Sequence, residues 1–252
     1  MHRTDPPERS PKIHGRRRRD DEIWDRLLAV LVVLVMWVVT VWGRAFQATY
    51  GRLFAAGYER LVRGSELAGM AARRRDLLTL ARGATLEVGA GTGLNVAYYP
   101  DTVTGLVLTE PSPHMARRLR ARAAQRGRPT RVVEAPGEDL PFPDASFDTV
   151  VATLVLCTVA DTARTLSEIA RILKPDGQLL FLEHVRSSNP RLAARQDRWH
   201  CLWLLFGEGC HCNRDTERLI AAGPLTIERI TYGQMPKVPK IVQPLIAGVA
   251  RP

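Results

Sequence analysis

The stretch Leu86-Glu87-Val88-Gly89-Ala90-Gly91-Thr92-Gly93 decides the fold. Residues 85–88 read as a short buried strand. The three alternating glycines that follow permit a tight turn in which the backbone can approach a ligand closely. The loop then opens a helix. Strand, glycine turn and helix in that order belong to open α/β sheets, where ligands sit beyond the carboxyl ends of the strands. A dinucleotide-binding loop is spaced G-x-G-x-x-G. Here Gly93 comes one residue early and Leu94 stands at the later position. Glu87 also sets a carboxylate just before the turn, which disfavours a pyrophosphate.

Outward from this loop, short apolar strands alternate with helices. Strands are expected at residues 85–88, 104–109, 131–134, 149–153, 178–182, 226–231 and 241–249. Ser112-Pro113 reads as an N-cap followed by proline at the first helical position, and Met115, Leu119 and Ala123 share one face of that helix. Asp161 caps a second helix with Leu166, Ile169, Ala170 and Leu173 inward, and Lys174-Pro175-Asp176-Gly177 is a turn that stops it. The fold class is therefore α/β: a doubly wound, mostly parallel sheet.

The turn suits S-adenosylmethionine better than a phosphate ligand, because that molecule offers ribose hydroxyls, an amino-acid tail and a sulfonium instead. Glu110, at the end of the second strand, can accept two charge-assisted hydrogen bonds from a ribose diol; it also reads as a plain acidic charge ahead of the Ser112 helix. In Gly137-Glu138-Asp139-Leu140-Pro141-Phe142, after the third strand, an acid can accept from an adenine amino group and Leu140 can pack on the ring. A charged surface turn is the competing reading of either acid alone. Phe147-Asp148-Thr149-Val150-Val151 completes the pattern.

These segments together resemble the class I S-adenosylmethionine-dependent methyltransferase superfamily. Within it, the chain from about residue 52 to its end is most similar to the membrane-associated alkyl-thiol methyltransferases, the methyltransferase-like seven group. The resemblance is carried by Ala135-Pro136-Gly137-Glu138-Asp139, Thr153-Leu154-Val155-Leu156-Cys157, Glu183-His184-Val185, and Gly209-Cys210-His211 with Arg214-Asp215-Thr216. It implies a seven-stranded Rossmann-like sheet with an N-terminal hydrophobic helix, and S-adenosyl-L-methionine as cofactor. Glu87, Gly89, Ala90, Gly91 and Gly93 would shape the cofactor site, with Glu110 and Pro111 at the ribose, Glu138, Asp139 and Leu140 by the adenine, and Thr153 beside them. Glu replaces the commoner Asp at 110, and either binds a diol. The implied reaction is methyl transfer to a small lipophilic acceptor, with an alkyl thiol favoured. A quinone, phenol or lipid amine is open to the same chemistry, and a non-catalytic, membrane-tethered cofactor-binding module is the alternative of a different class.

A thiol acceptor needs only a modest base, since its ordinary pKa of about 8.5 already leaves a few per cent thiolate. His184, at the end of the fifth strand, is the candidate base, with a structural histidine as the competing reading. Cys157 is a candidate wall of the methyl pocket or a packing cysteine. Trp199, Trp203 and Phe206 belong to an apolar stretch that shapes an acceptor pocket, touches lipid, or packs on the sheet. No metal is expected from His200, Cys201, Cys210, His211 and Cys212: the last three are too crowded for a usual ligand pair, and His200 and Cys201 face different sides of a helix.

The chain has 252 residues, 45% hydrophobic and 25% charged, with a net charge of +10. That balance points to an anionic partner. Nucleic acid is disfavoured, because the arginines lack interleaved aromatics. The four cysteines all lie in the second half, which suits a reducing compartment rather than a disulfide scaffold. Residues 1–26 read as a disordered basic tail with Arg16-Arg17-Arg18-Arg19. Residues 27–43 read as a hydrophobic membrane-associated helix. Its apolar run begins at Leu27 and ends at Trp42, roughly 24 Å of helix at about 1.5 Å per residue, short against a bilayer core of about 30 Å. A helix lying in the cytosolic leaflet, with the catalytic domain on the cytoplasmic side, reconciles this length with a cytosolic cofactor. A signal peptide or a core helix are the other readings of the run. Residues 44–82 form an amphipathic helical cover with Leu53, Phe54, Tyr58, Leu61 and Val62 at helical spacing, and 83–252 the methyltransferase domain.

Overall fold

Strand β1 (Gly83–Val88) ends directly at the glycine turn, and in it Thr85, Leu86, Glu87 and Val88 are all buried. A computed structural model describes residues 51–252, and the expected tail and hydrophobic helix lie outside the described residues. Around β1 the sheet adds β2 (Val103–Thr109), β3 (Thr130–Val133), β4 (Phe147–Thr153), β5 (Leu173–His184), β6 (Thr226–Gln234) and β7 (Pro244–Arg251). Their spatial order is β3-β2-β1-β4-β5-β7-β6. The pairs among β1 to β5 are parallel, while β7 runs antiparallel to both β5 and β6. The order reverses between β1 and β4, the switch point where such sheets bind ligands.

The helices pack as their caps and spacing predict. Ser112 accepts from the Met115 N–H at the start of α3 (Pro113–Ala124), and Asp161 accepts from the Arg164 N–H at the start of α4 (Thr162–Ile172). Thr165, Leu166, Ile169 and Ile172 of α4 are fully buried against one face of the sheet. Along α3 the inward residues are Ala116, Leu119 and Ala123; Met115, expected among them, turns instead to the ligand cavity.

Three local expectations change. The glycine turn does not open a regular α-helix: it continues through turns into a 3-10 segment, Val96–Tyr98. The 174–177 turn does not precede β5 but bulges from within it, since β4 pairs Phe147 with Leu173 and then Thr149 with Gln178. The expected 241–249 strand splits into a 3-10 turn, Lys240–Val242, and β7. Upstream, residues 51–65 are helical (α1), followed by a π-helical turn, Glu66–Met70, and α2 (Ala71–Leu78). Gly69 breaks this path at φ +134°, a conformation side chains rarely adopt. Two further helices complete the order, the long α5 (Pro190–Phe206) and the short α6 (Thr216–Ala221). Gly51–Pro252 forms one compact unit. Among the described residues no helix is long and apolar enough to cross a membrane.

The β7 hairpin depends on a bare backbone at Gly248. A Cβ there would lie 2.2 Å from the Arg229 carbonyl oxygen and 2.5 Å from Phe181 Cζ. Gly248→Ala should therefore lower unfolding free energy by about 1–3 kcal/mol, the usual cost of overpacking. Urea titration checks this, and an unchanged midpoint would refute the packing.

Candidate active site

The carboxyl ends of β1, β2, β4 and β5 open onto one cavity of about 760 Å³. One side is formed by Glu87, Gly89, Ala90, Gly91, Glu110 and Pro111, and the other by Thr153, Cys157, His184, Trp203, Phe206 and Cys210. Phe54, Tyr58, Leu61 and Val62 of α1 line it as well.

On the glycine side, Gly89 and Gly91 sit at φ +61° and +58°, where a Cβ is strained. A Cβ on Gly89 would also fall 2.2 Å from Val155 Cγ2, whereas beyond Gly91 the space is open. Glu110 ties this turn down: its Oε2 accepts from the Gly91 N–H at 2.8 Å and its Oε1 from the Ser112 N–H at 2.9 Å. A carboxylate oxygen has two lone-pair sites, so capacity remains for a diol. Burial raises the Glu110 pKa above the usual carboxylate range, against those two hydrogen bonds.

Glu87 lies beneath the turn at 1% exposure. Tyr99 donates its hydroxyl to Oε2 at 2.6 Å and Asn95 donates Nδ2 to Oε1 at 2.9 Å. Arg74 extends the network, with Nη1 on Asn95 Oδ1 and Thr153 Oγ1 at 3.1 and 3.2 Å and Nε on Glu66 at 3.1 Å. Burial pushes Glu87 up to about 7, opposed by the Tyr99 hydrogen bond, the Arg74 charge and the Asn95 hydrogen bond.

At the far end, His184 Nε2 stands 2.8 Å from Cys210 Sγ, and the Cys210 and Cys157 sulfurs are 4.0 Å apart. Trp203 donates its indole N–H to Cys210 Sγ at 3.2 Å. The hydrogen bond from Cys210 holds the Cys157 thiol well below its ordinary pKa despite burial, with His184 acting the same way. Cys210 is pushed up correspondingly by Cys157 and by burial.

A family model described as a methyltransferase domain matches residues 86–181. Human thiol S-methyltransferase TMT1A is 33% identical over 177 residues, covering 66% of this chain and 69% of that protein. The chain belongs to the class I S-adenosylmethionine-dependent methyltransferases. Human thiol S-methyltransferase TMT1B is 36% identical over 159 residues, 58% of this chain and 65% of the relative, so the chain spans about two thirds of the length of these curated relatives. A solved S-adenosylmethionine-dependent methyltransferase from Thermotoga maritima, described as a possible histamine N-methyltransferase, superposes with a TM-score of 0.60 at 22% identity, covering 81% of this chain and 98% of that one; it supports the fold alone.

The cofactor of this methyltransferase is S-adenosylmethionine, and the residues present fit it. An acid with spare lone pairs faces the open space beyond Gly91, a second buried acid with Arg74 suits an amino-acid tail, and the other wall is apolar enough to exclude water. Several expected positions fall elsewhere. Gly93 packs beneath the turn, where a Cβ would meet Leu119 and Val96 at 2.8 and 3.0 Å, and does not line the cavity. Leu140 is 2% exposed in the core, gives its N–H to Glu168 and does not line the cavity. Asp139 is exposed and outside the cavity wall. Glu138 does line the cavity, but its Oε1 is held by the Ala160 and Asp161 N–H groups at 2.7 and 3.2 Å. Trp199, Trp203 and Phe206 share one face of α5, but only the last turns of the helix border the cavity, so Trp203 and Phe206 line it while Trp199, a turn earlier, is 47% exposed and outside it. Cys210 does not join its sequence neighbours but meets Cys157 and His184. Arg74, Asn95 and Tyr99 carried no signal in the sequence beyond their polarity in apolar surroundings.

Two outcomes follow for the cofactor side. Glu110→Ala should weaken S-adenosylmethionine binding by about 1.5–3 kcal/mol, the range for hydrogen bonds to charged groups; calorimetry reads this, and unchanged affinity would misplace the ribose. Glu87 has a folded pKa above its unfolded value, so its contribution is full below about pH 4 and fades as pH rises through 7. Urea unfolding of the cofactor-free protein should lose about 2–3 kcal/mol between pH 5 and 8 at this position. Glu87→Gln should flatten that slope, and an identical slope in the variant would contradict the assignment.

Proposed function

We propose that this methyltransferase moves the methyl group of S-adenosylmethionine onto the sulfur of a small lipophilic thiol. The carrying observation is the acceptor end of the cavity: an apolar wall with Leu154, Trp203 and Phe206, interrupted by the buried Cys157–His184–Cys210 cluster. The apolar wall favours a lipophilic acceptor and removes competing water. The cluster is where the acceptor's proton is handled, with His184 the group within reach that can accept one. When bound, the cofactor supplies an electrophilic methyl group already activated by its sulfonium. The chain's work is then alignment, exclusion of water and stabilisation of a thiolate. Glu110 holds the ribose, Glu87 and Arg74 flank the amino-acid tail, and Glu138 borders the adenine. The human relatives are thiol S-methyltransferases, which supports a thiol over other acceptors.

The test is methyl transfer from labelled cofactor to an alkyl thiol, a phenol, a quinol and phosphatidylethanolamine, with products read by mass. A thioether is expected. A product from another acceptor alone would overturn the thiol assignment, and cofactor binding without any product would favour a non-catalytic module.

The run from Leu27 to Trp42 is assigned to a membrane surface, with the catalytic domain on the cytoplasmic side. The supports are its length and all-round apolar composition. Fractionation of cells expressing the full chain should place it with membranes, released by detergent. Recovery in the soluble fraction without detergent would refute the anchor.

A further inference from the structure

Three side chains from separate parts of the chain meet in the acceptor wall. Cys157 comes from the turn after β4, His184 from the end of β5, and Cys210 from the loop after α5. All three are buried, and their ligand atoms lie within 4.8 Å of one another. At 4.0 Å the two sulfurs are far outside disulfide length, about 2.05 Å. Two thiolates bound at about 2.3 Å to one tetrahedral ion stand roughly 3.8 Å apart, close to the spacing here.

Hydrogen bonding within the protein accounts for only part of the cluster: His184 Nε2 and the Trp203 indole N–H both meet the Cys210 sulfur. His184 Nδ1 is buried without a partner among the described residues, so no second hydrogen bond explains the imidazole as a structural one. Trp203 can only donate to the Cys210 sulfur, which favours an electron-rich sulfur there. Glu183 adds a buried acid behind the cluster, its Oε1 on the Val155 and Leu156 N–H groups and its Oε2 unpartnered. Arg214 sets one positive charge beside the same groups, held in place by its Nη1 on the carbonyls of Leu156 and Val159 at 2.6 and 2.8 Å.

We propose that Cys157, His184 and Cys210 form a three-ligand site for a thiophilic divalent cation, zinc first, whose fourth position opens to the cavity and takes the acceptor sulfur. Two thiolates and one imidazole with an open position is a known pattern of reactive zinc sites, and a coordinated thiol is deprotonated outright. The inference deepens the thiol reading and rests on it for the acceptor's identity. It makes His184 a ligand rather than a base. The acceptor thiol releases its proton to solvent on coordination. Its sulfur lone pair forms the new S–CH3 bond as the bond from that methyl to the sulfonium breaks, and the released pair stays on the sulfur of S-adenosylhomocysteine. The cation keeps its charge throughout. The thioether formed is neutral and a weaker ligand, so it leaves.

The experiment titrates the reduced, metal-stripped full chain with cobalt(II) and follows sulfur-to-cobalt charge-transfer absorption. One equivalent should saturate the signal, and an added alkyl thiol should shift the cobalt ligand-field bands. Cys210→Ser and His184→Gln should each weaken cobalt binding at least tenfold while S-adenosylmethionine affinity, measured on the same samples, reports an intact fold. If either variant loses its fold, the wild-type titration decides alone. Absence of charge transfer in the wild type, or a Cys157–Cys210 disulfide as the only change, would overturn the site. Full thiol methylation by protein verified as metal-free would overturn the metal's role and leave the thiol reading standing. A cobalt spectrum that no thiol perturbs, together with no thioether product, would overturn the thiol reading and with it the acceptor's place on the metal.

Discussion

Glu87 is a carboxyl group near the end of β1 with almost no contact with water, and burial of that kind is costly unless partners are supplied. Those partners, and the residue that braces them, come from two directions. Asn95 and Tyr99 reach back from the turns after the glycine loop, and Arg74 reaches in from α2, bringing Glu66 and Thr153 with it. The network fixes the path of the glycine turn, and so fixes where backbone N–H groups and Glu110 face the cavity. It also joins the helices before β1 to the sheet: α2 anchors one end through Arg74, and α1 lines the cavity that results.

The opposite wall is built on another principle. There the polar groups are few and converge on one another instead of on the backbone. Leu154 holds φ +55° as the chain leaves β4, and strain of this sort is kept where the surrounding structure over-determines it. The Leu154 N–H bonds the Leu182 carbonyl, and Glu183 holds the next two N–H groups. Together they aim the turn that carries Cys157 toward His184. A cavity with hydrogen-bonding groups on one side and a sulfur–imidazole patch set in apolar surroundings on the other is suited to a polar cofactor and a greasy, soft acceptor.

Most of the sheet was legible because its signals are local. β2 and β4 carry the short apolar runs Leu106–Leu108 and Val150–Ala152, β1 sets Leu86 and Val88 around Glu87, and the Ser112 and Asp161 caps mark the helices. Glu110 was legible for the same reason, since it ends a strand. What was not legible depends on contacts distant in sequence. The 174–177 turn looks like a boundary, yet the sheet resumes pairing around it. Leu140 follows two acids and reads as a loop residue, but the core beneath the sheet takes it. Cys157, His184 and Cys210 are separated by 27 and 26 residues, and only the parallel crossover from β4 to β5 and the return from α5 bring them together. Arg74 was read only as part of an amphipathic helix, because nothing in its spacing reveals Asn95.

The most direct measurement of the central claim is a crystal structure of the chain with S-adenosylhomocysteine. The account requires the ribose hydroxyls on Glu110 and the cofactor sulfur directed toward the chamber holding Cys157, His184 and Cys210. A cofactor whose ribose lies away from Glu110, or whose sulfur faces a wall other than that cluster, would contradict it.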